Sequence, residues 1–348
     1  MRVHAEQLRG SAVLFFYDDI IADSNNLRKA FHQPIKNQSN PILRPEMPWE
    51  GSRIQPWGSV FKWGEGWRLL YCSWTVDPTA VLAISALDSK DGRNWHRPSL
   101  GLHEYQGSSS NNIIMPMPAP EAKAFMPSFI RHPNPPDPSW NFLLYAWWWW
   151  HGKRMGLHVY KSEDGLHFQS AKDTPILEWG MIGPGKSNDV ASVYYDHQAR
   201  KFTMYTAGLV KQERQSMIAW DNCPDKARHI FRWESDDGLD WGDPIPMLSP
   251  DRHEPEWQQY YGCSVSEYEG MWLAFPLYYN ALEQFMQPHL AYSRDRKTWD
   301  RQSREPFLPC GDSPDRWDYG STMFAWDFIR LEDEIIFLYG GIPCREHT

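Results

Sequence analysis

The chain has 348 residues, of which 41% are apolar, enough to bury a sizeable core in one large domain or two ordinary ones. Its 44 acidic residues outnumber its 35 Lys and Arg residues, and the net charge of −9 argues against binding to nucleic-acid backbones and anionic membranes. The longest unbroken apolar run, Phe142 to Trp150, has about half the length of a membrane-spanning helix. We therefore expect neither nucleic acid nor a membrane as a partner.

The first ten residues contain no hydrophobic stretch of the kind found in signal peptides. The chain as written is therefore expected to be cytoplasmic, and periplasmic or secreted only if a leader was removed. The five cysteines stand singly, without a C-x-x-C pair, so neither a zinc cluster nor a disulfide framework is indicated. Their odd number fits a reducing compartment.

In chain order, apolar or alternating runs predict pairs of short β-strands. The chain also carries 20 Trp residues, and aromatic side chains at such density pack sheets or stack on flat ligands. The predicted pairs are 58–61 with 67–74, 127–130 with 142–147, 189–195 with 201–206, 262–266 with 270–275, and 320–325 with 334–339.

A turn motif follows the strand pairs. The pattern S-x-D-[GR]-x-x-[WF] occurs four times, beginning at Ser89, Ser162, Ser235 and Ser293. Its Asp is expected to accept backbone N–H bonds within a tight turn, and its aromatic residue to pack onto the sheet. Repetition at a near-regular spacing indicates a repeat architecture.

Five modules of about 60 to 70 residues predict an all-β fold, a five-bladed β-propeller of four-stranded antiparallel blades. The 28 Pro and 23 Gly residues are spread throughout, which argues against a helical fold. No shift in composition marks a second domain, so residues 1–348 are interpreted as one propeller. A further strand at 13–17 is expected to complete the last blade.

The turn motif resembles that of the bacterial five-bladed propeller proteins related to glycoside hydrolase families 32 and 43. The resemblance also rests on Pro48-Trp49-Glu50, on residues 98–113, and on Tyr261-Gly262 leading into residues 268–270. It covers roughly residues 12 to 342. It implies activity on glycosides, often furanosides, with carboxylates that project into an axial funnel from the inner strands.

Glycoside hydrolysis needs two carboxyl groups, one to protonate the leaving oxygen and one to act as base or nucleophile. Asp189 matches the third-blade acid of the related hydrolases; its alternative role is to tie the preceding loop by hydrogen bonds. Glu256 and Asp318 are further candidates, with ion pairing to Arg252 and Arg316 as their alternative. Glu50 is the fourth candidate, or else ties its own loop through backbone bonds.

The chain departs from families 32 and 43 at the first two inner strands, where those enzymes carry acids. The equivalent stretches here offer Arg53, Gln55 and Trp57, and then residues 126–128. The carboxylate set of the families therefore does not transfer as a whole. Either the acid pair comes from blades three to five, or the chain binds sugar without cleaving it.

Substrate contacts are predicted from aromatic and polar residues near the inner strands or after the 147–150 tryptophan run. Because strand residues alternate between faces, two of the four Trp rings should pack between blades while the others reach the funnel or a neighbouring layer. Most Trp residues are expected to be packing residues, and the histidines have simple exposure as their alternative. The candidates are Trp57, Trp147, Trp149, His151, Arg154, Asn188, Tyr261 and His132.

These observations favour a glycoside hydrolase-like enzyme that cleaves an oligo- or polysaccharide with an Asp/Glu pair. The alternatives are a non-catalytic carbohydrate-binding propeller and a glycoside phosphorylase, for which Lys186, Arg154 and His151 are the available phosphate-binding residues. No phosphate loop, nucleophile elbow or H-E-x-x-H motif is present. We expect no obligatory cofactor, and the Asp-rich loop 18–23 leaves a calcium ion open although it lacks EF-hand spacing.

Overall fold

The computed structural model describes residues 14, 16–21, 23–75, 81–150, 152–212, 221, 223, 225–301 and 303–345. Within these ranges the fold is all-β. Three single-turn 3-10 helices are present, and no described helix is long and apolar enough to cross a membrane. These helices span Asp18–Ile20, Pro48–Glu50 and Pro138–Trp140.

The first two sheets are built from residues 53–187. All pairs in them are antiparallel except the last pair of the second sheet, which is parallel. The first sheet contains Arg53–Gln55, Val60–Trp63, Gly66–Trp74, Ala83–Ser89 and Ile113–Pro116. The second contains Lys123–Arg131, Phe142–Trp150, Arg154–Ser162, Gln169–Ser170, Leu177–Trp179 and Lys186–Ser187.

The remaining strands form a four-stranded sheet, a six-stranded sheet and a two-stranded hairpin. The third sheet contains Ala191–Asp196, Lys201–Lys211, Lys226–Ser235 and Ile245–Leu248. The fourth contains Gln258–Tyr268, Met271–Asn280, Phe285–Pro288, Ala291–Ser293, Ser321–Phe324 and Tyr339–Ile342, and the hairpin pairs Ile329–Arg330 with Ile335–Ile336.

Hydrogen bonds join residues in or next to the inner strands from one sheet to the next, continue through Trp326 and Asp327 after Ser321–Phe324, and return to the first sheet. The sheets are therefore arranged around one axis as a β-propeller. Around the ring, Ser59 N donates to Pro127 O (2.9 Å), Val193 N to Ser128 Oγ (3.1 Å), Ser192 Oγ to Cys263 O (2.7 Å), Ser266 Oγ to Asp327 Oδ1 (2.6 Å), and Trp326 N to Gly58 O (2.8 Å).

The four turn motifs adopt the predicted local structure. In the first, Asp91 Oδ1 accepts the backbone N–H groups of Arg93 and Asn94, both at 2.8 Å. The carboxylates of the other three copies accept the equivalent bonds, and the four aromatic residues pack into four different core clusters. The predicted tight turn, in which the Asp accepts backbone N–H bonds and the aromatic residue packs onto the sheet, is confirmed.

The fourth position of the motif is left-handed, which explains its glycine in three of the four copies. Gly238 has φ +75°, and a Cβ atom there would lie 2.4 Å from Tyr145 Oη. That hydroxyl donates to Gly238 O at 3.0 Å, so the turn of the third sheet is fastened to the second. The fourth copy places Arg296 at the same position with φ +61°.

The predicted terminal strand lies partly outside the described residues, which omit residues 13 and 15. Phe16 and Tyr17 form a turn instead of a strand. Phe16 stacks on Tyr292 of the fourth sheet, with ring centroids 4.6 Å apart. This segment therefore covers the fourth sheet through side-chain packing.

Candidate functional site

The inner strands of the sheets begin at one end of the axis, and the strands paired with them end there. Arg53 opposes Trp74 across the first pair, and Lys123 opposes Trp149 across the second. Asp189 lies two positions before the third inner strand, and Glu256 two positions before the fourth. We call this end the axial mouth and define it by Arg53, Trp74, Lys123, Trp149, Asp189 and Glu256.

Below the mouth, the axis is filled by apolar side chains contributed from around the ring. Trp57 lies near-parallel to Tyr261 and Trp326, with ring centroids 6.3 and 6.5 Å away. All three are at most 7% exposed. Apolar side chains therefore close the axis below the mouth, and the polar side chains near the axis lie at the mouth and in the layer just beneath it.

A buried polar network lies in that layer. Asp221 Oδ2 is 3.2 Å from Arg228 Nη1 and accepts Gln259 Nε2 at 3.1 Å, while Oδ1 accepts the Tyr279 hydroxyl at 3.3 Å. The Asp221 and Arg228 side chains are 0% and 1% exposed. A buried ion pair of this kind is stable only when further hydrogen bonds satisfy its polar atoms. Removing either partner would leave an uncompensated buried charge.

Asp189 is half-buried beside this network. Burial raises the pKa of Tyr261 well above its usual range, and the negative charge of Asp189 adds to the effect. Burial opposes the charge of Arg228, but Tyr261, Asp221, Cys223 and Asp189 together raise its pKa. Asp189 is therefore a half-buried residue of the mouth whose charge acts on the buried Arg228 guanidinium and the buried Tyr261 phenol.

Glu256 is exposed at the rim of the mouth. Its backbone carbonyl accepts Gln212 Nε2 at 3.3 Å, and the next residue, Trp257, packs against the axial cluster. Arg252, its suggested ion partner, contacts His253 at 3.3 Å. Asp189 and Glu256 are therefore brought to the same end of the axis by neighbouring inner strands.

Glu50 is fully buried in the loop before the first sheet. Its carboxylate accepts the backbone N–H groups of Glu46 and Met47, the Tyr71 hydroxyl at 2.5 Å, and Arg97 Nε and Nη2 at 2.8 and 2.9 Å. Burial alone would raise the pKa of Glu50, but these bonds outweigh it and hold the pKa below its ordinary value. The loop-tying alternative matches this geometry, and a catalytic role remains a prediction.

Asp318 is also buried and is ion-paired. Its Oδ2 lies 2.6 Å from Lys36 Nζ and 3.3 Å from the Tyr339 hydroxyl. The suggested pairing with Arg316 is wrong, because that guanidinium contacts Asp312 at 3.3 Å. The correct partner, Lys36, is 282 residues away in the chain, so it could not be recognised from local spacing.

The tryptophan run alternates between two layers, as expected for a strand. Trp147 is 0% exposed in the core between the second and third sheets, and Trp148 packs on the opposite face. Trp149 is half-buried against the axial cluster, with its ring 5.7 Å from that of Trp179. Of the run, we therefore place Trp149 at the mouth.

The remaining substrate-binding candidates are dispersed. Asn188 is 4% exposed beside Asp189, and Arg154 Nη1 donates to the Tyr160 hydroxyl at 2.8 Å. His132 packs edge-on against Phe202 at 5.3 Å, and burial lowers its pKa. His151 lies outside the described residues.

Two cationic residues that were not predicted from the sequence as site residues lie at the mouth. The Arg53 guanidinium carbon lies 5.1 Å from the centroid of the Trp74 ring, and Lys123 Nζ lies 4.0 Å from it. Among the described residues, no group of three or more His, Cys, Asp or Glu side chains is placed to hold a metal ion. The calcium expectation stays a prediction.

No protein-family model and no curated protein matches the chain. Solved structures do match it. A structure described as a glycoside hydrolase has a TM-score of 0.59 at 13% identity, covering 86% of this chain and 85% of that one. A thermostable family-43 glycoside hydrolase has a TM-score of 0.53 at 16% identity, covering 83% of this chain and 85% of that one.

An N-acetylgalactosamine deacetylase from F. plautii, in complex with blood group B trisaccharide, also matches. Its TM-score is 0.53 at 15% identity, with 85% of this chain and 78% of that one covered. These neighbours establish the fold. They bear out the family-43 side of the sequence resemblance at the level of architecture, and the relation to family 32 remains a prediction.

Proposed function

We propose that the chain is a glycoside hydrolase-like enzyme that cleaves an oligo- or polysaccharide at the axial mouth. The observation that carries the proposal is Asp189, a half-buried carboxylate at the mouth whose charge acts on Arg228 and Tyr261. The propeller shared with glycoside hydrolases supports it. Perturbed titratable groups in a concave site are typical of catalytic centres.

The proposal includes five blades. Ser321–Phe324 pairs with Tyr339–Ile342, and the Ile329–Arg330 hairpin extends the same two segments. Among the described strands, a single register pair, Met286 with Ser321, joins this unit to the ladder of the strands before it. We assign the unit as a fifth, two-stranded blade between the fourth sheet and the first.

For the chemistry, Asp189 supplies the base or nucleophile and Glu256 the acid that protonates the leaving oxygen. Asp221 is excluded from proton transfer to substrate because it is buried and already accepts three donors. Its role is to hold Arg228, which in turn faces Tyr261 at 4.7 Å from the ring centroid.

The test is hydrolysis of a panel of aryl furanosides and pyranosides by the wild type, Asp189→Asn and Glu256→Gln. Loss of a general acid, base or nucleophile is expected to lower kcat by about 10²-fold or more, with an unchanged melting temperature. Asp236→Asn, at an exposed acid of the third sheet's turn, serves as the matched control. Wild-type turnover by Asp189→Asn would exclude it from the mechanism.

A non-catalytic carbohydrate-binding propeller is the second candidate. It is favoured by one observation: the first two inner strands bring Arg53 and Lys123 to the mouth in place of acids. Sugar binding measured by calorimetry, without turnover of any substrate in the panel, would support it. Turnover that depends on added phosphate would instead support a phosphorylase.

A further inference from the structure

Arg53 and Lys123 come from different sheets and share one aromatic contact. Arg53 begins the first inner strand and Lys123 the second, and both approach the Trp74 ring. Trp74 packs in turn on Phe125 of the axial cluster, with ring centroids 5.4 Å apart. The two positive charges are therefore fixed side by side at the edge of the mouth.

Neither cation is neutralised within the described part of the chain. No described carboxylate lies within 4.0 Å of either one, and Arg53 Nε is buried without a hydrogen-bond partner. Burial lowers the pKa of both side chains, and the charge of Arg53 further lowers that of Lys123. Two half-buried, mutually repelling cations are costly in a chain with a net charge of −9 unless an anion binds them.

Trp149 completes the arrangement. It is the cross-strand neighbour of Lys123 and is half-buried at the mouth. Sugar rings stack on aromatic faces, and a guanidinium binds a carboxylate with two parallel N–H bonds while an ammonium acts as a point charge.

We propose that the mouth selects a carboxylate-bearing sugar, a uronic acid residue, whose carboxylate binds between Arg53 and Lys123 while its ring lies against Trp149. This inference rests on the proposed function in placing a glycan at the mouth. It assigns the substrate class through charge, and it does not depend on cleavage.

The test is calorimetric titration of the full chain with oligogalacturonides and glucuronic acid-capped oligosaccharides, each compared with its neutral methyl ester. The acid forms are expected to bind at least about tenfold more tightly than the esters, with the preference weakening as salt is raised. Arg53→Gln and Lys123→Gln are each expected to lose about tenfold in affinity for the acid and none for the ester.

Lys62→Gln is the matched control, because Lys62 Nζ lies 4.0 Å from the Trp67 ring in the same sheet but away from the mouth. Equal binding of acid and ester, no binding of either, or an acid preference that survives the double variant would overturn the inference. So would inorganic phosphate binding that is lost in the variants without any preference for uronates.

The same variants separate this inference from the proposed function. Acid-selective binding without turnover of any aryl glycoside, aryl uronides included, supports the inference and contradicts the hydrolase. Hydrolysis by the wild type at equal rates for uronides and their neutral esters, unchanged in the Arg53→Gln, Lys123→Gln double variant for both, supports the hydrolase and contradicts the inference.

Discussion

Replacing Glu50 by Gln is expected to destabilise the fold while leaving turnover per folded molecule unchanged. The carboxylate binds Arg97 through two nitrogens, accepts the Tyr71 hydroxyl and caps two backbone N–H groups, all at a fully buried position. An amide keeps the shape but cannot accept all five bonds or balance the guanidinium. The Arg97 side chain, 15% exposed, would be left largely buried with a weaker partner.

Removing one partner of a buried ion pair costs about 3–5 kcal/mol. Unfolding entropy near the midpoint is about 2.1 cal/mol/K per residue, or roughly 0.73 kcal/mol/K for 348 residues. The expected fall in melting temperature is therefore about 4–7 °C. Because the folded pKa of Glu50 is depressed, its stabilisation is present above the unfolded pKa and lost as pH falls through the folded value.

Differential scanning calorimetry between pH 3 and pH 7 measures both effects, with the wild type losing stability toward acid and Glu50→Gln losing less. Glu46→Gln is the control, since Glu46 contacts the same Arg97 at 3.1 Å but is 61% exposed. An unchanged melting temperature in Glu50→Gln would refute the energetic reasoning. Lost turnover at an unchanged melting temperature would instead make Glu50 catalytic.

Gly238→Ala is expected to lower the melting temperature more than Gly64→Ala, because both positions are left-handed but only Gly238 also meets a neighbouring side chain; equal losses by thermal scan would contradict the packing argument. Trp147→Ala should cost about 3–5 kcal/mol in urea unfolding and leave sugar affinity of the folded protein unchanged; weaker binding at an unchanged stability would place Trp147 in the site. Asp221→Asn should cost about 3–5 kcal/mol by stranding Arg228, and full stability in the same titration would show that the buried pair is dispensable.

The architecture was predictable from the sequence because its signals are local. The Asp and Gly residues of the turn act within a few positions of each other, and the apolar runs define strands without knowledge of their partners. Gly238 illustrates this, since its left-handed backbone conformation is encoded in four residues. The strand boundaries differ by a few residues, because tertiary pairing extends Lys201–Lys211 and Met271–Asn280 beyond their apolar runs.

The candidate site was only partly predictable because its contacts are long-range. Asp189 could be found from its place before an inner strand. Asp221 could not be found in this way, because the sequence around it has no periodic pattern. Its hydrogen-bond partners Arg228 and Gln259 are 7 and 38 positions away in the chain. Arg53 and Lys123 belong to separate sheets, and only closure of the ring brings them to one Trp74 ring.

The stacked aromatic layer beneath the mouth also determines how a ligand must travel. Trp57, Tyr261 and Trp326 obstruct passage along the axis, so whatever enters leaves by the same opening. A polymer cannot thread through the ring; it presents a chain end or lies across the rim. Substrate then enters and product leaves through the same opening, and a slowly released product competes directly with the next substrate molecule.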